Sequence, residues 1–180
     1  DKEALVSYQK IIKKDRSLAG PYYNIGIILK RNGRIEEAID NYKKAISLNP
    51  DYVQAYNNLG AIYKNNEEYA NAVKMFTKAI EIQPDHQNSY YNLALIKKEQ
   101  GSTEEAVEFF LKVLDINPDH NEAKLYRAMI TKDRGLLKKA KAYFLGISKL
   151  EDKNENVAIG LANIFHELGD FKDAIDIFER

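Results

Sequence analysis

Cysteine is absent from this 180-residue chain, which excludes disulfide bonds, thiol catalysis and thiolate metal sites. The absence suits a cytoplasmic chain and is compatible with any compartment. An excess of either charge is also missing, because 27 basic residues offset 27 acidic ones. That balance removes a bulk electrostatic preference for nucleic acid or an anionic membrane, while leaving local patches open. No apolar run approaches the roughly 20 residues needed to cross a bilayer. Stretches such as Ile27-Ile28-Leu29 are short, so no membrane insertion is expected. No glycine-rich phosphate loop or nucleophile elbow is present, and no cofactor is expected. The chain opens on Asp1-Lys2-Glu3 without a signal-type segment, and reads as a piece of something longer. At 44% hydrophobic and 30% charged residues, it is nevertheless ordinary globular material.

What is present is a period. Ala4, Ala38, Ala72, Ala106, Ala140 and Ala174 stand 34 residues apart without insertion or deletion. Four residues after each stands an aromatic: Tyr8, Tyr42, Phe76, Phe110, Phe144 and Phe178. Ile28, Ile62, Ile96, Ile130 and Ile164 keep the same step. A fixed period of this length means a stack of similar supersecondary units, each packing mainly on its neighbours. Function then comes from a surface built by repetition, and a pocket with a unique set of reactive groups is not its natural product.

Within residues 19–52, Tyr22, Ile25, Gly26 and Leu29 fall at helical spacing on one face. Gly33 is placed to end that helix in the left-handed conformation. A second helix restarts at Glu36-Glu37, acids that suit a first turn, with Ala38, Ile39, Tyr42, Ala45 and Ile46 as its apolar stripe. Asn49-Pro50-Asp51 breaks the chain, and Asp51 is expected to cap the next helix. Tyr56, Leu59, Gly60, Tyr63, Ala72, Phe76, Ala79 and Pro84 repeat the pattern, as do Tyr90, Leu93, Ala94, Gly101, Ala106, Phe110 and Pro118. Small residues at Gly26, Gly60, Ala94, Ala128 and Ala162 are expected to let paired helices approach closely.

These units resemble tetratricopeptide repeats, whose signature is a large aromatic, Leu-Gly, Tyr, then Ala, aromatic and Pro over about 34 residues. The resemblance covers essentially the whole chain as one domain. Full repeats fall at 19–52, 53–86, 87–120 and 121–154, residues 1–18 form the trailing helix of a preceding repeat, and 155–180 form a partial one. It implies an all-α, right-handed α-solenoid of antiparallel helix pairs whose first helices line a concave surface. Two departures stand out. Glu67 occupies the place of Gly33, Gly101, Gly135 and Gly169, and because a left-handed Glu costs about 1 kcal/mol, Asn66 is the alternative for that role. In the fourth repeat Lys124, Arg127 and Thr131 replace the aromatic, Leu and Tyr, and Asp152 replaces the proline. There Leu125, Ala128 and Met129 are expected to supply a rotated apolar stripe.

The remaining first-helix face carries the candidate site. Tyr23, Asn24, Ile27 and Lys30 share a stripe rotated about 100° from the core stripe. Asn57, Asn58 and Lys64 follow one repeat later, then Tyr91, Asn92, Leu95 and Lys98. Asn24, Asn58 and Asn92 form an amide ladder, and Lys30, Lys64, Lys98 and Lys132 a cationic one. A side-chain amide both donates and accepts, which matches the backbone of an extended peptide. Such a ladder resembles the one in tetratricopeptide superhelices that hold peptides by main-chain contacts. The alternative for the asparagines is bonding between neighbouring helices. The pattern of Lys, Asn and Arg with which some co-chaperones of this family grip a C-terminal carboxylate is not matched, since only Asn58 agrees with it.

His86 and His120 recur at Pro-Asp turns without an accompanying acidic cluster, and read as echoes of the repeat rather than metal ligands. Acid pairs such as Glu36-Glu37 and Glu104-Glu105 read as helix starts, and no catalytic residue is assigned. The expected function is a non-catalytic interaction module for an extended segment of a partner protein. The alternative is a spacer or assembly segment of a larger protein, attached to a catalytic domain outside this sequence. Tyr8 and Ile11 at one end and Ile175 and Phe178 at the other lack covering helices, so end-to-end self-association is also expected.

Overall fold

The computed structural model describes residues 2–148 and 155–178. Eleven helices account for these residues, joined by short turns, with no strand among them. They are α1 (Lys2–Lys14), α2 (Ala19–Arg31), α3 (Ile35–Leu48), α4 (Val53–Asn65), α5 (Tyr69–Ile82), α6 (Gln87–Glu99), α7 (Thr103–Ile116), α8 (Asn121–Asp133), α9 (Leu137–Ser148), α10 (Glu155–Glu167) and α11 (Phe171–Phe178). The chain divides into two compact bodies, residues 1–96 and 97–180.

In the first body α2 packs on α3, α4 on α5, and the pairs are joined where α3 meets α4. Its core gathers Ile25, Leu29, Ala38, Tyr42, Leu59 and Ile62, with Leu5, Tyr8 and Ile12 of α1 against it. Tyr8 is therefore half-buried under α2, whereas Ile11 stays exposed as its place at an end suggests. In the second body α8 packs on α9, and α10 on both α9 and α11. Ala128, Ala140, Phe144, Ile147, Val157, Leu161, Ile164 and Phe165 form its core. The 34-residue aromatics Tyr42, Phe76, Phe110 and Phe144 are all fully buried, each such burial stabilising by about 1.5–3 kcal/mol. The side chain of Phe178 lies outside the described residues, as does Asp152.

The small residues of the first helices serve those rings. A β-carbon on Gly26 would lie 2.7 Å from Cε1 of Tyr42, and one on Gly60 would lie 2.9 Å from Cε1 of Phe76. The close approach is thus between helix backbone and aromatic ring.

Each pair closes with the same turn. The Arg34 N–H donates to the Leu29 carbonyl at 2.9 Å, and Glu68 to Tyr63, Ser102 to Lys97, Leu136 to Thr131 and Asp170 to Phe165 do likewise. This six-to-one bond requires a left-handed residue just before the donor. Gly33, Gly101, Gly135 and Gly169 supply it, and in the second repeat Glu67 does so itself at φ 61°. Asn66, at φ −86°, ends the helix without entering that region, so the alternative role given to it does not hold. The turn's two hydrogen bonds, Glu67 N–H to Lys64 and Glu68 N–H to Tyr63, hold the glutamate there.

Two further local expectations are corrected. Asp51 does not cap α4, because the capping position falls on Tyr52, which makes no side-chain cap bond. Asn49 closes the turn before α4, accepting the Asp51 N–H on its side chain at 3.1 Å, and Asn117 does the same for Asp119 at 3.0 Å. In α8, Met129 is exposed and takes no part in a rotated core stripe. Ala123, Ala128 and Ile130 are buried there, with Leu125 packed against the core. Arg127 lays its guanidinium 4.1 Å from the Tyr143 ring centroid, so a cation on an aromatic face replaces the missing leucine.

Candidate functional site

The first-helix stripe of the first body is carried by α2, α4 and α6. Asn24, Lys30, Asn57, Asn58, Lys64, Tyr91, Asn92 and Leu95 are all half-buried, and Ile27 is exposed. Helical spacing places them there, since the face about 100° away is consumed by Ile25, Gly26 and Leu29 and their equivalents.

Tyr23 is the hub. Its ring meets Tyr52 edge-on at 4.9 Å between centroids and lies 5.9 Å from Tyr42. The amide nitrogen of Asn58 donates to its hydroxyl at 3.1 Å, linking α4 to α2. Burial raises the Tyr23 phenol above its usual range, and the bond from Asn58 works against that rise. Beneath it the Tyr42 hydroxyl is buried with no hydrogen-bond partner among the described residues. Burial pushes that phenol up further, and the adjacent Tyr23 adds to the shift.

Two of the ladder asparagines differ. Asn58 reaches a neighbouring helix, whereas Asn92 donates to the Asn88 carbonyl one turn back in its own helix at 2.9 Å. Next to Asn58, the side-chain oxygen of Asn57 is buried and lacks a partner among the described residues. An amide oxygen in that state is an acceptor in want of a donor. In the second body Lys98 is exposed, with its ammonium 4.4 Å from the Tyr126 ring centroid, while adjacent Lys97 is held by Glu105 at 2.6 Å.

Continuing the ladder arithmetic past Asn92 reaches Tyr126 and Gly160, positions that the reading by asparagine passed over. Tyr126 stacks on Phe110 at 5.0 Å and 15°. A β-carbon on Gly160 would fall 2.5 Å from Cζ of Phe144. This one helical position therefore faces the aromatic of the preceding second helix in both repeats. The sequence held the signal in its period.

His120 caps α8, its Nδ1 accepting the Ala123 N–H at 3.3 Å. His86 pairs its Nδ1 with the buried Ser89 hydroxyl at 2.8 Å. Among the described residues no cluster of three His, Cys, Asp or Glu is placed to hold a metal ion. No helix there is long and apolar enough to cross a membrane.

First helices of 13 residues, left-handed turns and a buried alanine–aromatic couple in each of the four full repeats accord with three family models. One, described as TPR repeat, matches residues 28–67, and two described as tetratricopeptide repeat match 51–119 and 158–180, together more than half of the chain. The chain belongs to the tetratricopeptide repeat family. Solved structures agree on the fold of this tetratricopeptide repeat chain. YrrB, described as a TPR protein with an unusual peptide-binding site, is 21% identical, with 96% of this chain and 89% of that one covered at a TM-score of 0.79. PilF of Pseudomonas aeruginosa is 18% identical, covering 96% and 78% at a TM-score of 0.85. MamA is 24% identical, covering 82% and 86% at 0.73. Comparison with curated proteins finds no match. As a tetratricopeptide repeat protein the chain is a protein–protein interaction module.

Proposed function

We propose that this module is non-catalytic and holds an extended peptide segment of a partner along its first-helix, concave face. The observation that carries the reading is the run of half-buried Asn24, Asn58 and Asn92 amides, one per repeat, along α2, α4 and α6. A side-chain amide both donates and accepts, so these amides offer a peptide backbone hydrogen-bonding groups at repeat spacing. Tyr23, Tyr91, Ile27 and Leu95 provide apolar contact, and Lys30, Lys64 and Lys98 attract acidic side chains of the ligand. The peptide-binding site for which YrrB is described supports such a use of the fold.

The test is a pull-down with the wild-type chain and with an Asn24→Ala, Asn58→Ala, Asn92→Ala variant, followed by titration of a captured peptide. Each neutral hydrogen bond contributes about 0.5–1.5 kcal/mol, so the triple change weakens binding markedly while helicity is kept. Full affinity in the folded variant would move the site elsewhere.

A second reading rests on exposed apolar side chains. Phe171 and Ile175 on α11 are 58% and 57% exposed, and Val6 on α1 is 49% exposed. Patches of this kind favour end-to-end self-association, which sedimentation over a wide concentration range tests. A sedimentation coefficient that does not change with concentration excludes it.

A further inference from the structure

In the second body, the turn from α8 to α9 differs in charge from the equivalent turns of the first and third repeats. The second helix of the first repeat begins with Glu36-Glu37 and that of the third with Glu104-Glu105, whereas the equivalent residues in the fourth are Lys138 and Lys139. Cations at a helix start oppose the helix dipole, so local stability does not account for them. The neighbouring cations are matched by acids: Arg134 with Glu104 at 3.0 Å, Lys141 with Asp170 at 3.6 Å and Lys132 with Asp133 at 3.8 Å. Among the described residues no carboxylate pairs with Lys138 or Lys139, and both are exposed.

These lysines edge an open groove of about 390 Å³ lined by Gly135, Leu136, Leu137, Lys138, Lys139 and Leu168. Leu136 is 51% exposed at its rim, while Leu137 and Leu168 are half-buried in its floor. We propose that this groove docks an acidic segment of a partner protein carrying a leucine-type side chain. The apolar side chain lies on Leu136, Leu137 and Leu168, and flanking carboxylates meet Lys138 and Lys139. The leucine floor favours a peptide over nucleic acid, which would need a broader cationic track or stacking aromatics. The surface is separate from the asparagine stripe and does not depend on it.

The experiment uses the whole chain and fluorescence anisotropy with a labelled twelve-residue peptide of alternating Glu and Leu. Controls are the same peptide with Gln for Glu, single-stranded RNA and phosphatidylserine vesicles. The acidic peptide binds the wild type, weakens with added salt, and weakens about tenfold for a Lys138→Gln, Lys139→Gln variant of unchanged helicity. Leu136→Ser weakens it independently, and the Asn24, Asn58, Asn92 triple variant binds it normally. The proposal is overturned if the wild type does not bind, if the Gln peptide binds equally, or if the lysine variant retains full affinity. Tighter binding of RNA or vesicles than of the peptide also overturns it.

Discussion

The Asn58 amide donates to the Tyr23 hydroxyl across the gap between α4 and α2, at 3.1 Å. One rung of the proposed ligand ladder is thus also a bond that holds two repeats together. Replacing Tyr23 with Phe removes the acceptor and is expected to lower stability by about 0.5–1.5 kcal/mol. Urea denaturation of Tyr23→Phe, Asn58→Ala and the double variant measures the coupling. Additive effects would mean that the bond contributes nothing.

Glu67 takes the left-handed conformation that glycine takes in four other turns. Glu67→Gly relieves a β-carbon clash of about 1 kcal/mol and should stabilise the chain by up to about 0.5 kcal/mol, after allowance for the greater freedom of glycine when unfolded. A thermal melt checks it, and an unchanged or lower midpoint would refute the strain.

Gly160 lies too close to Phe144 for a β-carbon, and the ring is fully buried. Gly160→Ala is therefore expected to destabilise by about 1–2 kcal/mol, despite the better helix propensity of alanine. Gly146→Ala on α9 is the control, because nothing lies within 4 Å of its β-carbon position. If both variants gain stability, the close packing of α10 on α9 is wrong.

Overpacking the alanine–aromatic joint should cost more. Ala72 is fully buried beside α4, and Ala72→Leu is expected to cost about 1–3 kcal/mol, measured by denaturant titration. A midpoint shared with wild type would show slack at that joint.

Burial lowers the pKa of His86 below its ordinary value of about 6.5, and Asp85 only partly opposes the shift. The unfolded chain therefore binds this proton more readily than the folded one. The stability associated with the neutral ring is complete above pH 6.5 and is lost as pH falls through the lower folded value. Denaturation at pH 7.5 and pH 5 should show a smaller loss for His86→Asn, whose amide keeps a hydrogen-bonding group beside Ser89 at any pH. Equal losses in both proteins would assign the pH response to other groups.

The period alone determined the helix pairs and their buried positions. Ala38, Ala72, Ala106 and Ala140 are each fully buried, as 3.6-residue periodicity requires of a face repeated every 34 residues. It also marked the left-handed turns, because a six-to-one bond needs its special residue at one fixed place. The partners of the polar side chains were not legible in this way. Asn58 and Asn92 occupy one repeat position, yet one bonds a tyrosine 35 residues away and the other its own helix. Tyr23 stands on α2 where it can accept the Asn58 amide, and no periodic rule encodes that neighbour. Burial follows from helix geometry, which is local and repeats. A hydrogen bond between side chains depends on rotamers and on residues brought together by packing, so only the tertiary structure decided it.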